Sequence, residues 1–423
     1  MKEKIVRGNK NKSYMWNTVS GVISAGQSAL ILIFISRNYT THEAGLFSIS
    51  YAIALLCMTL AKYGQRNYQV TDVSEKYTFQ EYQISRWIAI VTTMILLSLY
   101  LVYKFIVGTY QGSKVLFIFF CAIWKTIDVV EDLYYGMYQQ KDHLDIGARR
   151  YSERLLLSTF LFCALSYTRI SFICLIIIVT ATSMVMAIIL IMFDYKKIVS
   201  EKKNEILVID RILCLLKECL PLCIGTTLGV FAGNIPKYFI DNYLDESIQA
   251  CFAYIMMPAF AIMLLSSFIF QPIIKDMGTA YQKGEMSFVK KIVQRQMILI
   301  LIITIIVIIG GFYAGIPILS ILYHIKLTDY KKEMLLLILG GGFYAVAQFI
   351  MIPIVVFRRQ KDIAIVYVAV VTLATIMGRF LVRRCGIMGA SMLYLIINML
   401  LAGILFRDYV ARIKNEDQKG TCE

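Results

Sequence analysis

Long uncharged stretches recur along this chain, separated by short charged connections, and no other feature of the sequence restricts its fold as strongly. Residues 14–36, 247–274, 297–325 and 334–357 contain no aspartate, glutamate, lysine or arginine. A run of roughly 17–25 apolar residues is long enough to cross the hydrocarbon core of a bilayer as a helix. Hydrocarbon offers backbone amides no partner, so each crossing has to satisfy its own hydrogen bonds as an α-helix. Of the 423 residues, 58% are hydrophobic and 17% charged, with a mean hydropathy of +0.67. That balance excludes an ordinary soluble domain. The pattern predicts an all-α membrane protein of about 12 transmembrane helices, at residues 14–36, 44–62, 86–107, 115–138, 151–168, 170–193, 218–240, 247–272, 293–315, 333–357, 363–382 and 386–407.

The net charge of +15 would suggest nucleic acid in a soluble protein, but its distribution argues against that partner. Alternate connections and the two termini hold 31 of the 43 lysines and arginines, whereas 11 lie in or near the opposite connections and Lys125 lies within a span. The positive-inside rule then places both termini in the cytoplasm of a multi-pass cell-membrane protein. The Lys-rich N-terminus is followed by no small-residue cleavage site, so the first apolar run reads as a retained span. Ten cysteines lie mostly inside apolar runs without a CxxC pair, and three histidines are scattered. Neither a disulfide framework nor a metal site is expected, and no cofactor is implied.

The longest cytoplasmic connection divides the spans six and six. It gives an N-terminal six-helix lobe at 1–193, a linker at 194–217, a C-terminal lobe at 218–412 and a tail at 413–423. An even number of spans per half makes the halves parallel repeats, related by an axis along the membrane normal. Weak symmetry agrees: Arg37-Asn38-Tyr39 closes the first span and Asp241-Asn242-Tyr243 the seventh. Both opening spans carry small residues four apart, Gly21, Ala25 and Ala29 in one and Gly225, Gly229 and Gly233 in the other. Such stripes serve close static packing or a seam between moving lobes.

Charge inside a span is costly and marks either function or an internal ion pair. The fourth span carries Lys125, Asp128, Glu131 and Asp132, with Lys125 roughly 15 Å deep at 1.5 Å per residue. Lys125, Asp128, Asp132, Tyr135 and Gln139 share one helical face. That face has to meet protein or water. One reading makes Lys125 and Asp128 a structural pair; the other makes the acidic residues, Asp128, Glu131 and Asp132, acceptors for a coupling proton or sodium ion. Pro236, Pro258 and Pro353 fall within spans and kink them. Residues 275–295 place Phe288, Val289, Ile292 and Val293 among lysines, which predicts an amphipathic helix lying on the anionic membrane surface.

The opening of the chain supplies a resemblance. Asn17 in the first helix, Arg37 before the turn Thr40-Thr41-His42-Glu43-Ala44-Gly45-Leu46-Phe47-Ser48, and Tyr63-Gly64-Gln65-Arg66-Asn67 after the second helix are similar to segments of one superfamily, the multidrug/oligosaccharidyl-lipid/polysaccharide exporters, in the polysaccharide-flippase (Wzx-type) branch. Gln69-Val70-Thr71-Asp72, Arg86 and Gln271-Pro272 fit the same branch. The resemblance implies a flippase, not an enzyme. Such a protein has two parallel six-helix lobes around a central polar cavity and moves a polyprenyl-diphosphate-linked oligosaccharide from the inner to the outer leaflet by alternating access, alongside polysaccharide-assembly enzymes. An anionic diphosphate calls for cations, and arginine matches phosphate geometry better than lysine. The candidates are Lys125, Arg37, Arg66, Lys62 and Lys237. Taken singly, Arg37 and Lys237 also suit interfacial anchoring, and Lys62 and Arg66 ordinary positive-inside charge.

Two other functions compete. A cation-coupled multidrug exporter of the same superfamily uses an acidic residue in the first helix; none stands between residues 13 and 36, and Asp241 is the nearest counterpart in the second half. A membrane polysaccharide polymerase or glycosyltransferase needs a large outer loop with catalytic residues, which the short connections do not provide. No GxxxxGK[ST] loop is present, which argues against direct ATP drive.

Overall fold

The computed structural model describes residues 2–72, 76–141, 143–198, 209–283, 285–357 and 359–420, and the side chains at 1–14, 195–198, 414–420 and several positions in 267–282, Gln271 and Pro272 among them, lie outside the description. Of the expected linker at 194–217, residues 199–208 lie outside the description and the described remainder is helical. The described residues are almost wholly helical, in fourteen α-helices: α1 (Lys2–Asn38), α2 (Thr41–Lys62), α3 (Gln65–Thr71), α4 (Phe79–Ile106), α5 (Gly112–Gln140), α6 (Leu144–Tyr167), α7 (Phe172–Ile198), α8 (Ile209–Tyr243), α9 (Glu246–Ile255), α10 (Met257–Gln282), α11 (Met286–Gly310), α12 (Ile316–Tyr323), α13 (Lys331–Val356) and α14 (Gln360–Gly420).

Eight of these stretches are long and apolar enough to cross a bilayer, nine when the bent pair Glu246–Ile255 and Met257–Ser266 is one crossing. The helices α5 and α6 have the length but are interrupted by charge, and α14 is broken at Gly386 (φ 56°), where the last two expected spans meet. All twelve expected spans therefore fall on helices, in a multi-pass membrane protein. The 42° bend between α9 and α10 sits where Pro258 opens α10, as the missing proline amide requires. The expected surface helix at 275–295 is a different object. Its apolar residues open α11, where Val289 and Val293 continue into a buried stripe with Gln296, Ile300 and Thr304, so they belong to the ninth crossing and not to a separate interfacial helix.

The chain divides into two compact units, residues 1–230 and 231–423. In the first, α5 is central and packs against α2, α3, α4, α6 and α7, while α1 lies along α6. Polar side chains fasten that pair: Gln27 donates to Thr159 Oγ1 at 3.0 Å and Asn38 to Ser166 Oγ at 3.0 Å. Capping boxes start α2 at Thr40 and Glu43 and α4 at Thr78 and Glu81, satisfying amides a helix start leaves open. In the second unit α13 packs against α10, α11 and α14. Its Gly340, Gly341 and Gly342 meet Tyr394, Ala259 and Thr304 so closely that a β-carbon on Gly341 would lie 2.9 Å from Ala259 Cβ. A charged helix, α5, thus lies at the centre of the first unit and a glycine-backed apolar helix, α13, at the centre of the second.

The glycine contacts give a test. Gly341→Leu is expected to cost about 1–3 kcal/mol by overpacking, read as a lower melting temperature in detergent. Gly310→Ala, at a position with open space around it, leaves the melting curve unchanged.

Candidate functional site

The charges of α5 do not form one cluster but two, arranged one helical turn apart. The inner cluster is closed and neutral. Lys125 Nζ lies 3.1 Å from Asp128 Oδ2 and donates to Gln27 Oε1 of α1 at 2.7 Å. Arg154 of α6 bridges the acids, bonding Asp128 through one terminal nitrogen and Glu131 Oε2 through Nε at 2.7 Å. Two cations thus balance two carboxylates. Lys125 and Asp128 are each 2% exposed and Arg154 is fully buried. The rings of Trp124 and Tyr51 flank the Lys125 ammonium at 4.9 and 5.0 Å, distances at which an aromatic face attracts a cation.

The outer cluster is open and carries excess positive charge. Asp132 is 3.3 Å from Arg86 of α4, 3.5 Å from Arg66 of α3 and 3.8 Å from Lys62 of α2. Three cations face one carboxylate. Arg86 is buried and also donates to the Lys62 carbonyl at 2.8 Å, which makes it a tether for the end of α2. Lys62 and Arg66 keep side-chain exposures of 29% and line a cavity of about 160 Å³ with Thr59, Gly64, Asn67, Asp132 and Thr226.

The local chain explains why Lys62 and Arg66 converge. Tyr63 and Gly64 both take left-handed backbone (φ 53° and 65°), which ends α2 and turns the chain straight into α3. Glycine tolerates that conformation without cost, and at Gly64 a β-carbon would also meet Leu222 Cβ at 2.6 Å. Gly136 of α5 lets the Gln69 side chain of α3 come against the helix, and Gln140 donates to the Gln69 carbonyl at 2.6 Å. The Arg66 guanidinium is held 3.8 Å above the Tyr135 ring and donates to Gln139 Oε1 at 2.9 Å, while the Tyr135 hydroxyl donates to Asn17 of α1 at 2.8 Å.

The shared face of Lys125, Asp128, Asp132, Tyr135 and Gln139 is therefore the spine on which both clusters are built. The structure brings Lys62, Arg66, Lys125, Asp128, Glu131 and Asp132 together. Arg37 stands apart: it is exposed at the end of α1, ten residues beyond Gln27. Lys237 and Asp241 lie half-buried on the part of α8 that belongs to the second unit. Arg154 and Arg86 were not among the candidate site residues, although Arg154 balances the charge of the inner cluster and Arg86 holds Asp132 in the outer one. Arg154 sits near the start of a weakly apolar span and reads locally as an anchor; its partners are 23 and 26 residues away.

A polytopic fold with a charged, partly open pocket in its first unit defines a class, and the comparisons agree with it. The fold is similar to an inward-facing multidrug resistance MATE family transporter of the MOP superfamily (TM-score 0.62, 13% identity, covering 93% of this chain and 96% of that one) and to an outward-facing one (0.61, 14%, 97% and 96%). It is also similar to a MOP superfamily transporter from Pyrococcus furiosus, described by a binding pocket of reversed polarity (0.58, 14%, 97% and 96%). Comparison with curated protein sequences found no match. The sequence profile of the family described as "Polysaccharide biosynthesis protein" matches residues 11–278. The chain belongs to that polysaccharide biosynthesis protein family, and its fold is the one shared with MATE transporters of the MOP superfamily.

Proposed function

We propose that this protein is a flippase that carries a polyprenyl-diphosphate-linked oligosaccharide from the inner to the outer leaflet for surface polysaccharide assembly. The observation that carries this reading is the excess of cations around Asp132, with Lys62 and Arg66 reaching a cavity. A site with three cations for one carboxylate attracts an anion and repels a cation. A diphosphate supplies several acceptor oxygens, which a guanidinium meets in a forked geometry and an ammonium meets as a point charge. Asp132 holds the cations in place without neutralising them. The buried Lys125–Asp128–Arg154–Glu131 set lies one helical turn from Asp132 on α5, outside the cavity lining, and its charges balance internally.

The fold likeness to multidrug transporters favours a cation-coupled exporter as a second reading. Against it stands the buried position in α1 occupied by neutral Gln27, in a stretch free of carboxylates from residue 13 to 36. A polymerase or glycosyltransferase is disfavoured by the short described connections at 39–40, 107–111, 168–171, 244–245 and 324–330, which leave no room for a catalytic domain. Transport of this kind needs only alternating exposure of the pocket across two lobes, the N-terminal one at 1–193 and the C-terminal one at 218–412.

The reading is tested in cells lacking their own flippase for a matching lipid-linked sugar. Wild-type protein restores surface polysaccharide, and Lys62→Gln/Arg66→Gln at equal abundance does not. Restoration by the double variant would remove the pocket from the transport route. Orientation has its own check in the native cysteines. Cys385 and Cys214 are both exposed, and a membrane-impermeant maleimide is expected to label Cys385 in intact cells and Cys214 only after permeabilisation. The reverse pattern would place the termini outside.

A further inference from the structure

The second unit holds a groove of about 610 Å³ lined by Phe239, Thr375, Ile376, Arg379, Phe380 and Arg383. We infer that this groove is a binding site for an anionic phospholipid of the surrounding membrane, with Arg379 and Arg383 receiving the phosphodiester head and the Phe239–Ile376–Phe380 wall receiving an acyl chain.

The groove is amphipathic in the way such a lipid is. Ile376 and Phe380 are 58% and 61% exposed on a helix that crosses the membrane, so this face looks toward hydrocarbon and not into packed protein. Phe239 lies flat against Gly378, which leaves no room for a β-carbon there, and it stacks on Tyr243 at 6.2 Å. Both contacts fix the groove's apolar floor. The arginines stand four residues apart on one face of α14 and within seven residues of the break at Gly386. At about 1.5 Å per residue they are within roughly 10 Å of the end of the crossing, the depth of lipid headgroups. Both are exposed, and no described carboxylate pairs with either.

Two guanidinium groups beside hydrocarbon call for an anion. With both termini cytoplasmic, Arg379, Arg383 and Arg384 lie on the face where lysine and arginine are otherwise sparse. A cationic cluster kept against that bias needs a compensating ligand. A lipid phosphate supplies one, because guanidinium binds its oxygens two at a time. A phospholipid is favoured over the transported diphosphate because the groove opens on the lipid-facing side of the unit.

The test is native mass spectrometry of the full-length protein in detergent, titrated with equal amounts of phosphatidylglycerol and phosphatidylcholine. Wild-type protein is expected to retain phosphatidylglycerol with about a tenfold preference, a conservative figure for two interfacial arginines. Arg379→Gln/Arg383→Gln is expected to lose that preference, and Arg379→Lys/Arg383→Lys to keep part of it. Inorganic phosphate, lacking acyl chains, does not compete. Absence of the preference in wild-type protein overturns the inference whether or not the glutamine variant folds, and so does an unchanged preference in that variant. Loss of undecaprenyl diphosphate binding with phosphatidylglycerol retained would assign the groove to the substrate and overturn it equally. The phosphatidylglycerol results leave the transport reading untouched, since neither arginine belongs to the Asp132 pocket.

Discussion

Arg154→Met is expected to remove most of the folded protein, seen as loss of the monodisperse peak and a large fall in melting temperature. Arg154 is fully buried and is the shared partner of Asp128 and Glu131. Its removal leaves two carboxylates with one lysine, in a region where neither water nor lipid headgroups reach. Taking one partner from a buried ionic set costs about 3–5 kcal/mol, a large share of a typical stability. Lys125→Met is milder, because Asp128 retains Arg154. Adding Glu131→Gln to Arg154→Met removes the stranded charge and recovers part of the loss; the coupling between the two sites is the quantity to measure. An Arg154→Met protein that melts like wild type would mean that the inner cluster is not structural.

The opposite pattern is expected for Lys62→Gln/Arg66→Gln. Asp132 keeps Arg86 at 3.3 Å, so the fold survives and abundance stays near wild type. Each lost charged contact to a phosphate oxygen is worth about 1.5–3 kcal/mol, so binding of a polyprenyl diphosphate falls about a hundredfold or more. Equilibrium binding to the purified protein reads this directly. Asp132→Asn tests the same pocket from the other side. It removes the carboxylate that pairs with all three cations, and affinity for the diphosphate is unchanged or higher while stability falls. Wild-type affinity in the double glutamine variant would show that Lys62 and Arg66 do not meet the ligand.

Much of this architecture was legible in the sequence because bilayer thickness sets the length of each element. All twelve spans fell on helices, and Pro258 marked the bend before α10. The shared face from Lys125 to Gln139 was readable because helical spacing is local. What local spacing does not carry is the partner supplied by another helix. Arg154 and Arg86 reach α5 across 23 to 46 residues, so charge balance, which separates a neutral inner set from a cationic outer one, emerged only in three dimensions. Lys125 is one of the five candidate cations, and the structure surrounds it with Asp128, Gln27 and two rings. The apolar residues of 275–295 misled for a related reason. Their amphipathic pattern fits a helix on the membrane surface and equally the first turns of a crossing, and the buried stripe of α11 selects the second. Thr40 with Glu43 and Thr78 with Glu81 were capping signatures in plain sight, and they fix where α2 and α4 begin.

Purified protein in vesicles of defined lipid, supplied with a fluorescent polyprenyl-diphosphate oligosaccharide, measures the central claim most directly. Movement of the labelled lipid between leaflets is expected with wild-type protein, and background movement with Lys62→Gln/Arg66→Gln. Vesicles that expel a cationic dye down an ion gradient while leaving the lipid-linked sugar in its original leaflet would contradict the account.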